Sequence, residues 1–257
     1  MIEVNNVVKT FELSKQQRKE NNTSEKIATA VNDISFSCQP GRIFSLLGPN
    51  GAGKTTTLRM LAGILKPSEG EVKINGFDIE KKPLEAKKHI GFLTGSTGLY
   101  ERLTPNEIIA YFGKLYGVTN EVIETRKEEL YDLLDMHDFQ NKRIGRLSTG
   151  MKQKVSICRT MIHDPEVVIF DEPTSGLDVI TAENIIKLIR DCKSKNKTVI
   201  FSSHIMSEVD LLCDDLAIIH KGKMIFNDSM QSFRDQMKAE NLTAEFIRII
   251  NEAKQSS

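Results

Sequence analysis

The sequence predicts an α/β protein with a mixed sheet core, an antiparallel β part near the N-terminus and a helical insert. Three observations lead there. Short, nearly continuous apolar runs, "RIFSLL" (42–47), "EVVIF" (166–170), "TVIFS" (198–202) and "DLAIIH" (215–220), read as strands, the first as one buried in a parallel sheet. "IEVNNVV" (2–8) and "ISFSC" (34–38) alternate apolar and polar residues, as half-buried antiparallel strands do. Residues 105–162 carry almost only helical patterning.

Taken in order, the first two strands bracket "ELSKQQRKENNTSEK" (12–26), a polar, charge-rich stretch that predicts an exposed, mobile hairpin insertion. The strand 42–47 leads into "KTTTLRMLAGIL" (54–65), where Leu58, Leu61, Ala62 and Leu65 share one helical face. "GEVKING" (70–76) is a short strand ending in a turn. Phe92-Leu93 ends another strand, and a glycine- and hydroxyl-rich loop follows. Thr104 is placed to N-cap a helix with Pro105 in its first turn. "NEVIETRKEELYDLLDM" is amphipathic with a solvated charged face. Helices separate the later strands, and "DSMQSFRDQMKAENLTAEFIRIINEAK" reads as two closing helices.

The bulk properties exclude several classes. The chain has 257 residues, enough for one large domain with a subdomain, and 39% apolar with 27% charged residues is a globular balance. Lys plus Arg equals Asp plus Glu at 35 each, so net charge supplies no attraction to nucleic acid or to an anionic membrane. The basic run Lys193–Lys197 is expected to close a helix at its negative end. Cys38, Cys158, Cys192 and Cys213 show neither C-x-x-C pairing nor metal-ligand spacing, so reduced thiols are expected. The N-terminus "MIEVNNVVKTF" lacks a basic start followed by an apolar run, so no signal peptide is expected. No apolar run approaches the ~20 residues that span a bilayer. The chain is expected to be soluble, with any membrane part supplied by a partner.

The chemistry is concentrated in two places. "LLGPNGAGKTTT" holds G-x4-G-K-T, from Gly48 through Asn50, Gly51, Ala52, Gly53 and Lys54 to Thr55, with Thr56 behind, between a predicted strand and a predicted helix. Glycines there let backbone N–H groups close on phosphate oxygens, and the helix N-terminus points its positive end at the same anion. Lys54 adds a charge for the β- and γ-phosphates, and the Thr55 hydroxyl is placed to ligate Mg²⁺. In "VVIFDEPTSGLD", Asp171 and Glu172 follow a buried strand, beyond whose carboxyl end ligands of parallel sheets sit. Asp171 is a candidate Mg²⁺ ligand, and Glu172 a candidate to orient or deprotonate the attacking water.

The stretch "RLSTGMKQKVSICRTMIHDPEVVIFDEPTSGLD" (146–178) resembles the signature of ATP-binding-cassette (ABC) ATPases. The family's "LSGGQ" stands here as Leu147-Ser148-Thr149-Gly150-Met151, "SGLD" (175–178) resembles its D-loop, and "FSSHIMSEVD" (201–210) its switch segment with His204. Phe11 matches the aromatic that stacks on adenine. Singly, His204 is an ordinary strand-end histidine, Phe11 a core aromatic, and Ser148 a helix cap; order and spacing raise them to site candidates. The resemblance implies a P-loop NTPase cassette with a RecA-like mixed-sheet core, an antiparallel β subdomain and a helical insert subdomain. Residues 1–94 and 163–227 would form the ATP-binding core with its antiparallel part, 95–162 the helical signature subdomain, and 228–257 the C-terminal helices. It further implies ATP and Mg²⁺, and an ATP sandwich with a second copy of the chain. There Ser148 and Gly150 of one copy face the nucleotide of the other, His204 contacts the γ-phosphate, and Asp178 couples the sites.

Where the family usually carries a glutamine, "IGFLTGSTGLYERLT" places Gly95, which reads as a hinge without a catalytic role; residues 95–103 are expected to help form a groove for a transmembrane partner. "STGM" and "GSTGLYERLT" resemble exporter cassettes that work with a separate permease. That implies a peripheral position on the cytoplasmic face of the membrane and Na⁺ as cargo, with drug or antibiotic export as the alternative. Cassettes acting on ribosomes or DNA form another class. They usually carry paired cassettes, coiled coils or zinc inserts, none of which the sequence predicts. The signature and the switch histidine argue against a small-molecule kinase.

Overall fold

The computed structural model describes residues 1–20, 22–94 and 98–255. The chain begins with β1 (Ile2–Glu12), α1 (Lys15–Glu20), β2 (Ile27–Cys38), β3 (Ile43–Leu47), α2 (Lys54–Leu61), β4 (Glu69–Ile74), β5 (Phe77–Asp78), α3 (Pro83–Lys88) and β6 (Ile90–Thr94). Three longer helices follow, α4 (Pro105–Leu115), α5 (Asn120–Leu134) and α6 (Thr149–Met161). Strands and helices then alternate through β7 (Val167–Asp171), α7 (Val179–Ser194), β8 (Thr198–Ser203), α8 (Met206–Leu212) and β9 (Asp215–His220). The chain closes with β10 (Lys223–Ser229), α9 (Met230–Asp235) and α10 (Leu242–Gln255).

Two sheets result. One is four-stranded and antiparallel, in the order β2-β1-β4-β5; the other is six-stranded, in the order β10-β9-β3-β8-β7-β6. In the larger sheet every pairing is parallel except that of the edge strand β10 with β9. The apolar runs are continuous because that sheet is covered on both faces. Ile43 and Leu47 of β3 pack with Ile108, Ile123 and Tyr131 of the helical insert, while Phe44 and Leu46 pack with Leu58 of α2 and the antiparallel sheet. Strand order then sets the site, because β3, β8 and β7 end side by side.

Several expectations need correction. The stretch 12–26 carries a helix, α1, with no buried residue. Its start is a capping box. Gln17 N–H donates to Ser14 Oγ at 3.2 Å and Ser14 N–H donates to Gln17 Oε1 at 2.9 Å. The helix expected over 54–65 stops at Leu61. Gly63 follows at φ 63°, with its N–H on the Met60 carbonyl and the Ile64 N–H on that of Arg59, a Schellman stop. The strand β10 is an addition, joined to β9 by the tight Lys221-Gly222 turn, in which both residues have positive φ. The helix α3 was also unread. Of the run Lys193–Lys197, Lys195 caps α7 and pairs with Asp191 at 2.9 Å. Lys193 lies in the last turn of α7, as expected, and also pairs with Asp214 at 2.7 Å; Lys197 departs from the expectation, buried against Asp164 at 2.6 Å.

Other readings agree with the structure. Thr104 caps α4, in a full capping box with Glu107. All four cysteines are free, and burial raises the Cys192 and Cys213 thiols to about 12. Gly95 lies outside the described residues. Among the described residues no helix is long and apolar enough to cross a membrane.

Candidate functional site

The loop between β3 and α2 is built for a close approach. Gly53, the residue before the helix, has φ 111°, which an L side chain rarely adopts. A Cβ there would stand 2.6 Å from the Ala30 carbonyl oxygen, and one on Gly48 would stand 2.3 Å from that of Ile219. The loop is thus pressed between β2 and the end of β9. Ala30 reaches it because it is an extra residue in β2. Lys9 faces Val31 while Thr10 faces Thr29, leaving Ala30 as a bulge. Asn50 through Thr56, with Ala30 and Glu172, line an open pocket of about 170 Å³.

Lys54 opens α2 and is buried, its Nζ donating to the carbonyls of Gly48 at 2.7 Å and Pro49 at 3.2 Å. Burial lowers its pKa, and Glu172 and then Asp171 act in the opposite sense. Beside it lies a cluster of oxygens. Thr55 Oγ1 donates to Asp171 Oδ1 at 3.1 Å, and Ser202 Oγ donates to the same oxygen at 2.8 Å. A single carboxylate with adjacent hydroxyls suits Mg²⁺, which usually takes one or two carboxylates and fills its shell with phosphate oxygens and water. Thr55 and Asp171 therefore fit the ion.

Glu172 has φ 50°, a left-handed conformation that turns it out of the line of β7. Its N–H is held by Ser202 Oγ at 3.1 Å. Its carboxylate stands 4.0 Å from Lys54 Nζ on one side and 3.3 Å from His204 Nδ1 on the other. A carboxylate so placed at the pocket lip, one-third exposed, can accept a proton from a water lying over the pocket.

The remaining candidates gather elsewhere. Ser148 caps α6, accepting from Met151 N–H at 3.3 Å. Gly150 lies in the first turn, where a Cβ would sit 3.5 Å from Asp178 Oδ2. Asp178 caps α7, accepting from Thr181 N–H at 2.9 Å and Thr181 Oγ1 at 2.8 Å, and these bonds hold its pKa below the usual carboxylate value. Two helix N-termini thus open side by side, and none of Ser148, Gly150 or Asp178 lines the phosphate-loop pocket. Phe11 is not among the residues that line the pocket. It faces Ala28, two residues along β2 from Ala30, and its half-exposed ring lies 5.1 Å from Lys9 Nζ.

Comparison with known proteins decides the family. The family model described as "ABC transporter" matches residues 31–175. The ABC transporter ATP-binding protein NatA of Bacillus subtilis is 44% identical over 224 residues, 87% of this chain and 91% of that protein. The chain belongs to the ABC transporter ATP-binding family. This cassette is also 35% identical to the linearmycin resistance ATP-binding protein LnrL of B. subtilis, over 88% of this chain and 72% of that one. A solved dimer of a bacterial ABC transporter cassette superposes with a TM-score of 0.78 at 25% identity, covering 90% of this chain and 99% of that one. The cassette is therefore the ATP-binding, ATP-hydrolysing subunit of an ABC transporter, and its fold is that of the P-loop ABC cassettes.

Sequence reasoning missed the residues that hold the site together from other strands. Ser202 carries a readable signal, since "FSSH" places a hydroxyl two residues before His204. The Ala30 bulge has none, because it is defined only by pairing with β1.

Proposed function

We propose that this ABC cassette works with a second copy of itself, and with a separate membrane permease, to extrude Na⁺. ATP sits on the loop from Gly48 to Thr56, with the adenine against Phe11. Thr55 and Asp171 would hold Mg²⁺, which when bound would supply charge neutralisation for the phosphates. Lys54 turns from the Gly48 and Pro49 carbonyls toward the phosphates. Glu172 takes the proton of the attacking water, and His204 holds Glu172 and the γ-phosphate in line. Ser148 and Gly150 of the other copy present the N-terminus of α6 to that phosphate, and Asp178 lies where the copies meet.

The observation that carries this reading is the split just described. Glu172 lines the phosphate pocket with His204 beside it, while Ser148, Gly150 and Asp178 gather on another face and line none of that pocket. Two copies packed head to tail would complete both. The helices α4 to α6 form the subdomain that carries the signature face, and the closing helices are α9 and α10, which begin at Met230 because 228–229 belong to β10. The segment carrying Tyr100 and Leu103 helps form the groove that receives the permease; it adjoins a groove of about 400 Å³ lined by Phe92, Phe112, Tyr116, Arg159 and His163, where Arg159 donates to the Gly98 carbonyl at 3.4 Å. On this reading the cassette works at the cytoplasmic face of the membrane.

Light scattering on Glu172→Gln, with and without Mg-ATP, tests the pairing. A monomer-to-dimer shift only with ATP is expected. A monomer that binds no ATP overturns the roles of Lys54 and Thr55. Failure of crosslinks from Tyr100 or Leu103 to reach a membrane subunit would overturn the groove. For the cargo, Na⁺ flux in vesicles containing cassette and permease is expected to depend on ATP. Drug or antibiotic export is the second reading, favoured by the similarity to a linearmycin resistance protein. Resistance without Na⁺ flux would select it.

A further inference from the structure

We infer that Glu208 is a positioning residue for hydrolysis: its carboxylate ties the loop that carries Glu172 to the turn that carries His204. The inference rests on the reading of Glu172 as the base and His204 as its partner. Glu208 lies in α8, outside the pocket, and is buried. Burying a carboxylate is costly unless each oxygen finds donors, and here each finds one from a different loop. Thr174 Oγ1 donates to Oε1 at 2.6 Å, and Ser203 Oγ donates to Oε2 at 2.9 Å.

Each donor in turn fixes its own loop. Thr174 belongs to the turn after Glu172, where the Ser175 N–H bonds the Glu172 carbonyl and the Leu177 N–H bonds that of Thr174. Ser203 precedes His204, and its Oγ, oriented by donating to Glu208, accepts the Ile205 N–H at 3.0 Å. The residues on either side of His204 are thereby locked to Glu208. The 3.3 Å contact between Glu172 and His204 joins side chains from two strands that end in loops, so it persists only where those loops are held together. Glu208 holds them, and through Thr174 it also touches the segment leading to Asp178. A carboxylate offers a separate acceptor oxygen to each hydroxyl, whereas an amide offers one acceptor atom, which is the chemical reason for this residue type.

The test is steady-state ATP hydrolysis with nucleotide affinity measured separately, on Glu208→Gln, Glu208→Ala, His204→Ala and the two doubles. Glu208→Gln preserves shape and one acceptor, so it keeps the fold even where Glu208→Ala does not. The expected result is a fall in kcat of about ten- to hundredfold for Glu208→Ala, smaller for Glu208→Gln, with ATP affinity within about threefold. In the His204→Ala background a further Glu208 change is expected to cost little, because both act on one geometry. An unchanged kcat in both Glu208 variants overturns the proposal. So does a pair of losses that simply multiply, since that is the mark of an independent structural effect. Glu172→Gln serves as the separate control. Full activity there overturns the assignment of the base, on which the proposal rests, before any Glu208 variant is read.

Discussion

The phosphate-loop pocket and the signature face are made of the same parts and end in opposite conditions. Both have helix N-termini and small residues, although α2 starts at Gly53 without a side-chain cap, while Ser148 and Asp178 cap α6 and α7. In the pocket every group is tied down. Lys54 is buried under two carbonyls, Asp171 receives two hydroxyls, and Gly53 is wedged on the Ala30 bulge. At the signature face the caps serve only their own helices, Ser148 on Met151 and Asp178 on Thr181. Val179 and Ile180 beside them are more than 70% exposed. Such ties preorganise the pocket, so nucleotide binding asks only for local turns such as that of Lys54 toward the phosphates. A capped but open pair of helix ends is what the proposed pairing needs, a face for a second copy to complete.

Substitutions can break this contrast. The largest effect is expected at Lys54. Lys54→Ala removes the charge that faces the phosphates, so hydrolysis should fall by about two to three orders of magnitude, with nucleotide affinity falling alongside it; fluorescent-ATP titration and phosphate release check both. Gly150→Asp is the next largest. It sets a carboxylate beside Asp178 and against the incoming phosphate, so ATP should still bind the monomer while ATP-dependent pairing weakens by about tenfold or more. Analytical ultracentrifugation in Mg-ATP checks it, and loss of ATP binding in this variant would erase the distinction between the two regions.

Smaller effects sharpen it. Ser148→Ala removes a cap worth about 1 kcal/mol, and Tm should fall by about 2–4 °C; a thermal melt without nucleotide measures it apart from any effect on pairing. The last, absent at neutral pH, is a pH effect from neither region. His163, buried against Tyr116 with Nε2 on the Ile90 carbonyl, has its pKa lowered to about 4 by burial. Its folded pKa lies below the unfolded value near ~6.5, so its stabilising contribution is full above that value and is lost as pH falls toward 4. Tm should drop across that window, and His163→Gln should flatten the drop.

Much of the fold was legible because its signals are local. Continuous apolar runs announced the buried strands, and Thr104-Pro105 announced α4. The misses have local causes too. The capping box Ser14–Gln17 was hidden in a charged stretch, and the Lys221-Gly222 turn concealed β10. Gly63 ended α2 early through a hydrogen-bond pattern that hydrophobic spacing does not report.

By itself the sequence determined the phosphate loop and the Asp171-Glu172 pair. In each, a strand, a turn and the start of a helix are contiguous, so the chemistry is written in one short segment. The tertiary structure decided what those residues touch. Placing β8 between β3 and β7 brings Ser202 onto Asp171, His204 onto Glu172 and Glu208 onto both loops, and the register of β1 on β2 pushes Ala30 against Gly53. Those contacts join distant segments. They exist only once the apolar faces of the strands have been buried, because burial of both faces is what selects the strand order.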